Sequence, residues 1–182
     1  MALSTVLLAG CGASDPTLAQ DASAAESATR VPRVTDDSGR PPVTFDPCLD
    51  IPDNVIAEAG YDPASKHVSE YPLDDYTFLG CDFRTAERKY SLTLLSGNVT
   101  FAEESEKTAD YAKPLEINGR HALLKFREYA RDECAYSLET NYGVLIILRG
   151  LEHDLIGPAP QEEWCAGLED TVRLIEPLLA DE

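Results

Sequence analysis

Apolar and polar positions alternate most clearly in the middle of the chain. Across 89–95, Tyr90, Leu92 and Leu94 alternate with Ser91 and Thr93, which predicts a strand with one buried face and one wet face. Residues 76–84 read as its partner, joined to it around Thr85-Ala86-Glu87. Four more strands are predicted at 115–117, 120–128, 133–139 and 143–149. They are separated by Asn118-Gly119, Ala130-Arg131-Asp132 and Thr140-Asn141-Tyr142. Asn-Gly is the strongest hairpin turn among these. The run Val144-Leu145-Ile146-Ile147-Leu148 is apolar on both faces and predicts a central strand.

Three helices frame these strands. Asp50 is placed as an N-cap with Pro52 in the first turn, Val55, Ile56 and Ala59 as the apolar face, and Gly60 as the stop. A loop rich in Pro, Asp and Tyr is expected from there to about Asp75. Thr100 and Glu103 have capping-box spacing, so a second helix is predicted over 101–111. A closing helix runs from Gln161, with Glu162 and Glu163 at its positive end. Trp164, Leu168, Val172, Ile175 and Leu179 form its stripe, and Pro177 bends or ends it. Hairpins outnumber crossovers. The expectation is an α+β domain in which a short N-terminal helix, a middle helix and a C-terminal helix pack on a mostly antiparallel sheet.

Upstream the pattern changes. Val6-Leu7-Leu8 leads into Leu8-Ala9-Gly10-Cys11 and then into a polar Ala/Ser/Thr-rich segment. A lipoprotein signal has this form: a short apolar helix, small residues for the peptidase, and a thiol at Cys11 to take a diacylglyceryl thioether. Residues 1–10 carry no Lys or Arg, so the true start is expected upstream. The organisation read from the chain is a signal peptide at 1–10, lipidated Cys11 with a disordered tether over 11–42, and one globular domain over 43–182. A flexible coil of that length spans roughly 30 Å. No apolar run approaches the roughly 18 to 20 residues that cross a bilayer, so attachment to the membrane rests on the lipid.

Charge and cysteines narrow the partners. The net charge is -18, from 33 acids and 15 bases. A surface this negative repels phosphate backbones, which argues against nucleic acid. With Cys11 set aside, Cys48, Cys81, Cys134 and Cys165 remain, an even set that reads as disulfides in an exported domain. Three connectivities are open. The favoured one is Cys48–Cys81 with Cys134–Cys165, because each closes a loop of roughly thirty residues and ties a helix end to a strand. The spacing fits no zinc motif, and neither a metal nor another cofactor is expected.

Candidate chemistry is thin. His67, His121 and His153 are the acid-base candidates, with Asp154 beside His153 and with Asp74 and Asp75 downstream of His67, but their spacing matches no catalytic motif. No nucleophile elbow or phosphate loop is present, and no catalytic residue is assigned. Tyr61, Tyr71, Tyr76 and Phe78 cluster around the Pro/Asp loop, as ligand contacts or as core and helix-end cover. Asn98-Val99-Thr100 matches a glycosylation sequon but is discounted, with Thr100 engaged as a cap.

Several motifs occur together: Leu8-Ala9-Gly10-Cys11, the polar tether, Thr44-Phe45-Asp46-Pro47-Cys48 leading into Ile51-Pro52, Gly80-Cys81-Asp82-Phe83, Glu133-Cys134-Ala135, and Trp164-Cys165. With them the chain resembles the short actinobacterial lipoproteins catalogued only as a domain of unknown function, the LprB-like lipoproteins. The resemblance implies a lipid-anchored protein on the extracytoplasmic face of the cell membrane, and it implies no reaction. The leading expectation is a non-catalytic module that binds an envelope protein. The alternative is a carrier or sensor for a small hydrophobic or lipid ligand, and the third reading is an envelope hydrolase using His67 or His153.

Overall fold

The structure is a computed structural model that describes residues 32–72, 75–127, 133–151 and 160–179. Seven strands form one sheet: β1 (Asp62–Pro72), β2 (Thr77–Arg84), β3 (Tyr90–Gly97), β4 (Ala112–Ile117), β5 (Arg120–Arg127), β6 (Glu133–Thr140) and β7 (Gly143–Leu151). Their order is β1-β2-β3-β7-β6-β5-β4 and every neighbouring pair is antiparallel. Two meanders, β1 to β3 and β4 to β7, therefore meet at a single β3–β7 seam. The apolar run 144–148 lies beside that seam, and β7 is the central strand.

The α+β, mostly antiparallel class holds, but the molecule is richer in sheet than the sequence suggested. The expected Pro/Asp/Tyr loop is largely β1, an edge strand with an irregular register between Asp62 and His67. Its pattern hid it, because an edge strand with Pro63 and Pro72 near its ends carries little apolar periodicity. The first helix is also two pieces, α1 (Pro47–Asp50) and α2 (Asp53–Glu58). The cap of α1 is Asp46, which accepts from Cys48 N at 3.0 Å, with Pro47 in the first turn. Asp50 does not cap a helix as expected; its carboxylate accepts from Asp46 N at 2.6 Å.

Helix α3 (Phe101–Thr108) carries the full Thr100/Glu103 capping box and ends before Tyr111. The closing helix is interrupted, giving α4 (Gln161–Trp164), α5 (Leu168–Ile175) and a 3-10 turn (Glu176–Leu178) that begins just before Pro177. Gly167, at φ 74°, makes the break, and Cys165 sits inside it. The Asn118-Gly119 turn has both residues at positive φ, 53° and 95°, as a tight hairpin of this type requires. Gly143 is constrained differently. A Cβ there would lie 2.4 Å from Gly97 O and 2.5 Å from Val99 O, so the β6–β7 turn closes against the end of β3 only without a side chain.

Paired residues share a face, which divides the sheet cleanly. One face presents Leu79, Cys81, Phe83, Leu92, Leu94, Leu145, Ile147, Tyr136 and Leu138, all buried. Against it pack Ile51 and Ile56 from the N-terminal helices and Trp164, Leu168, Val172 and Ile175 from the C-terminal ones. Both disulfides cross this core: Cys48–Cys81 joins α1 to β2, and Cys134–Cys165 joins β6 to the α4–α5 break. They match the favoured connectivity. The opposite face carries α3, held by a buried ion pair: Glu104 accepts from Lys125 and, at 3.0 Å, from Ser137 Oγ.

Residues 1–31, with Cys11 and most of the expected tether, lie outside the described residues. From residue 32 onward the chain is docked. Arg33 bonds to Asp46 at 2.5 Å, to Glu70 at 2.8 Å and to Gly80 O at 2.9 Å. Asp36 accepts from Thr77 Oγ1 and Asn98 Nδ2, each at 2.8 Å, and Arg40 grips Glu103 at 2.7 and 2.8 Å. Val43 and Phe45 then enter the core. Composition did not reveal this strap because charge-assisted bonds hold it.

The strap has a pH signature. The Ser38 hydroxyl, with Asn98 and Thr77, holds the Asp36 carboxyl well below the usual range, and Arg40 and Thr100 hold Glu103 at about 2 against an ordinary 4.5. Groups depressed in this way stabilise the docked state above their unfolded pKa and lose that contribution as pH falls toward the folded value. Strap release is therefore expected on acidification from about pH 4.5 downward. Protection of the Thr100 amide, which donates to Glu103 at 2.9 Å, should fall there before that of the sheet amides; simultaneous loss would show that the strap is not a separate unit.

Candidate functional site

Helix α3 packs on β6 and β7, and among the described residues no helix lies principally over β1, β2 and β3 on that face. Register places two rows side by side there. One runs His67, Asp82, Thr93, Leu148 and the other Ser69, Gly80, Leu95, Ile146. His67, Ser69, Asp82 and Thr93 supply a polar end, and Leu95, Ile146 and Leu148 an apolar one. All eight except exposed His67 and buried Gly80 are half-buried. Gly80 keeps the surface flat, since a Cβ there would fall 2.2 Å from Ser69 Oγ and 3.1 Å from Leu95.

Asp82 is the fixed point of the polar end. Thr93 Oγ1 donates to one carboxylate oxygen at 2.6 Å and Ser69 Oγ to the other at 3.0 Å, and His67 Nδ1 lies 3.6 Å from the second. Ser69, His67 and Asp82 are the residue types of a nucleophile relay, but their connectivity differs. In a relay the imidazole stands between hydroxyl and carboxylate and takes the hydroxyl proton. Here the hydroxyl donates directly to the carboxylate, and the imidazole is a second, looser neighbour of the same oxygen. The arrangement presents an oriented anion flanked by hydroxyls and an apolar strip. It suits recognition better than acyl transfer.

The other sequence candidates are dispersed. His121 stacks near Phe101, with centroids 6.4 Å apart, and its Nδ1 lies 2.8 Å from Glu139, far along the sheet from His67. Tyr61 is buried, which raises its hydroxyl pKa, and bonds to Arg149; it covers the end of α2. Phe78 lies over Gly97 and meets Tyr76 edge-on at 5.9 Å. The Asp75 carbonyl accepts from Arg40. Asp74, His153 and Asp154 lie outside the described residues, as does the side chain of Tyr71. Among the described residues no three His, Cys, Asp or Glu side chains group as metal ligands.

Sequence reasoning missed Ser69, Asp82 and Thr93. The signal was partly present: Asp82 and Thr93 each alternate against a buried run, so both had to lie on the second face. Only the β2–β3 register shows that they meet, and Ser69 was hidden with its strand.

The two disulfide-braced meanders and their helices define the class, an antiparallel α+β domain stapled once in each half. The chain belongs to the family described as Protein of unknown function (DUF3558), whose model matches residues 6–178. The resemblance read from the cysteine-bearing motifs holds at the level of this family. No curated protein and no solved structure matches the chain.

Proposed function

We propose that this protein is a lipid-anchored lipoprotein on the extracytoplasmic face of the cell membrane, and that its domain is a non-catalytic recognition module. The disulfides carry the reading: Cys48, Cys81 and Cys134 are buried and the two bridges brace one core, a design suited to an oxidising compartment. Leu8-Ala9-Gly10-Cys11 supplies the matching anchor signal. The rows of the sheet that no described helix covers supply a surface, and the Asp82 connectivity argues against hydrolysis. An envelope protein is the partner this favours. The half-buried strip Leu95, Ile146 and Leu148 favours a second ligand class, a small amphipathic molecule lying along that strip.

The test has two arms. Expressed with a complete export signal, the protein should incorporate labelled palmitate and partition into detergent, and the Cys11→Ser variant should do neither; an unlabelled wild type would remove the anchor. Native mass spectrometry of residues 12–182, exported and not reduced, should show about 4 Da less than the fully reduced mass from two disulfides. Alkylatable thiols would remove the oxidising-compartment argument. A co-purifying adduct would move the reading from protein partner to small ligand.

A further inference from the structure

Strand β1 ends the sheet, and among the described residues no strand pairs with its outer edge. Its outward groups can be assigned. Cys48 Sγ lies 3.8 Å from His67 O and 3.7 Å from Gly80 O, and Arg33 reaches Ser69 O at 3.3 Å and Gly80 O at 2.9 Å. The His67 and Ser69 carbonyls therefore turn toward β2. Antiparallel alternation then leaves the N–H and C=O of Val68 and Glu70 turned outward, and Lys66, at the end of the irregular stretch, lies on their side-chain face, its Nζ 5.9 Å from the centre of the Phe83 ring. The side chains of these three are exposed, Val68 by 51 %. Among the described residues Leu49, exposed by 61 %, is the other large apolar side chain left in solvent, and both flank one disulfide: Leu49 follows Cys48, and Val68 is the register partner of Cys81. Edge strands are usually guarded by charge, proline or a bulge. In β1 the irregular register before His67 and Pro72 at the far end confine the open run to 66–70.

We propose that residues 66–70 pair with the same segment of a second copy of this chain, about a two-fold axis through Val68. The charge pattern selects this register. Centred on Val68, antiparallel pairing sets each Lys66 opposite the second copy's Glu70 and Val68 opposite Val68. A shift of two residues either way along the partner sets Lys66 opposite Val68, or Glu70 opposite Val68, and leaves charges unmatched; a further shift opposes Lys66 to Lys66 or Glu70 to Glu70. Val68 and Glu70 fall in hydrogen-bonded positions of the centred register, and the register maps onto itself about Val68, so the contact is isologous and closes as a dimer. Lys66 already holds Asp53 at 3.0 Å and Glu70 holds Arg33 at 2.8 Å. An ammonium has three donors and a carboxylate several acceptor positions, so each retains its own partner while meeting the new one. The product is a continuous sheet of both copies with Val68 and Leu49 of each on one face. This inference does not depend on the lipid anchor.

Sedimentation velocity on residues 12–182, which contain the whole described domain, tests it at physiological ionic strength, where the Debye length is about 8 Å. The wild type should pass from monomer to dimer with rising concentration. Lys66→Glu and Glu70→Lys should each weaken self-association at least about tenfold, and an equimolar mixture of the two should regain a dimer, because every cross-strand pair is then opposite in sign. Val68→Lys should give a monomer, whereas Glu116→Lys on the other edge strand should not. Amide exchange at Val68 and Glu70 should slow as concentration rises. A wild type that stays monomeric into the sub-millimolar range, or a dimer indifferent to Val68→Lys, overturns the proposal, as does a mixture that fails to associate.

Discussion

Replacing Cys134 and Cys165 together by alanine is expected to lower the unfolding free energy by about 3 to 4 kcal/mol. The bridge spans a sequence separation of 31 and ties the middle of the sheet to the break between α4 and α5, so its loss frees the closing helices in the unfolded chain. Cys48–Cys81, with a separation of 33, should be worth about the same. The bridges staple different meanders and share no residue, so the two losses should nearly add. Together they approach the whole net stability of an ordinary domain, about 5 to 15 kcal/mol. Urea denaturation of non-reduced protein should show each double variant with a lower midpoint and the quadruple variant without a cooperative transition. An unchanged midpoint after loss of Cys134–Cys165 would mean that the helix stripe alone fixes α5.

The second large effect is expected at Glu104. Its carboxylate is buried beneath α3 and shared between Lys125 and Ser137, whose own side chains are nearly or wholly out of solvent. Glu104→Ala removes that shared acceptor and leaves a cation and a hydroxyl desolvated beside a cavity, at a cost of about 3 to 5 kcal/mol. Glu104→Met combined with Lys125→Met should recover much of the loss, since a packed apolar pair replaces a buried ion pair at little net cost. Ser137 would account for the remainder. Thermal unfolding of the single and double variants measures the difference. Equal destabilisation by both would show that α3 depends on this contact for shape rather than charge compensation.

What could be read from the chain followed from local rules, and what could not followed from pairing at a distance. The capping box at Thr100, the Asn118-Gly119 hairpin and the central apolar run are each complete within a few residues, and the structure places them as expected. The disulfide pairing was readable because each bridge closes a loop of about thirty residues and ties a helix end to a strand, with separations of 33 and 31. Strand β1 failed, because an edge strand needs polar residues and prolines that look like a loop. Asp46 was passed over as a cap in favour of Asp50, four residues on, which turns back to it. The Asp82 cluster could be placed on a wet face but not assembled, because Ser69, Asp82 and Thr93 meet only through register. The strap was obscured by its composition, since Arg33, Asp36 and Arg40 find their partners up to 63 residues away.

The order of strands has a consequence for how the molecule could be taken apart. Cys48–Cys81 lies wholly before β3 ends, and Cys134–Cys165 lies wholly after β4 begins, so no covalent bond except the main chain crosses the β3–β7 seam. A cut in the turn after α3 would yield two fragments, each internally knotted by its own bridge. They would be held together by the ladder of one strand pair, the packing around it, and the hold of α3 on β6 and β7 with its ion pair to Lys125 of β5. Each fragment could form its bridge without waiting for the other, so oxidation would seldom trap a wrong partner. The domain would come apart at that seam as a reversible two-piece assembly.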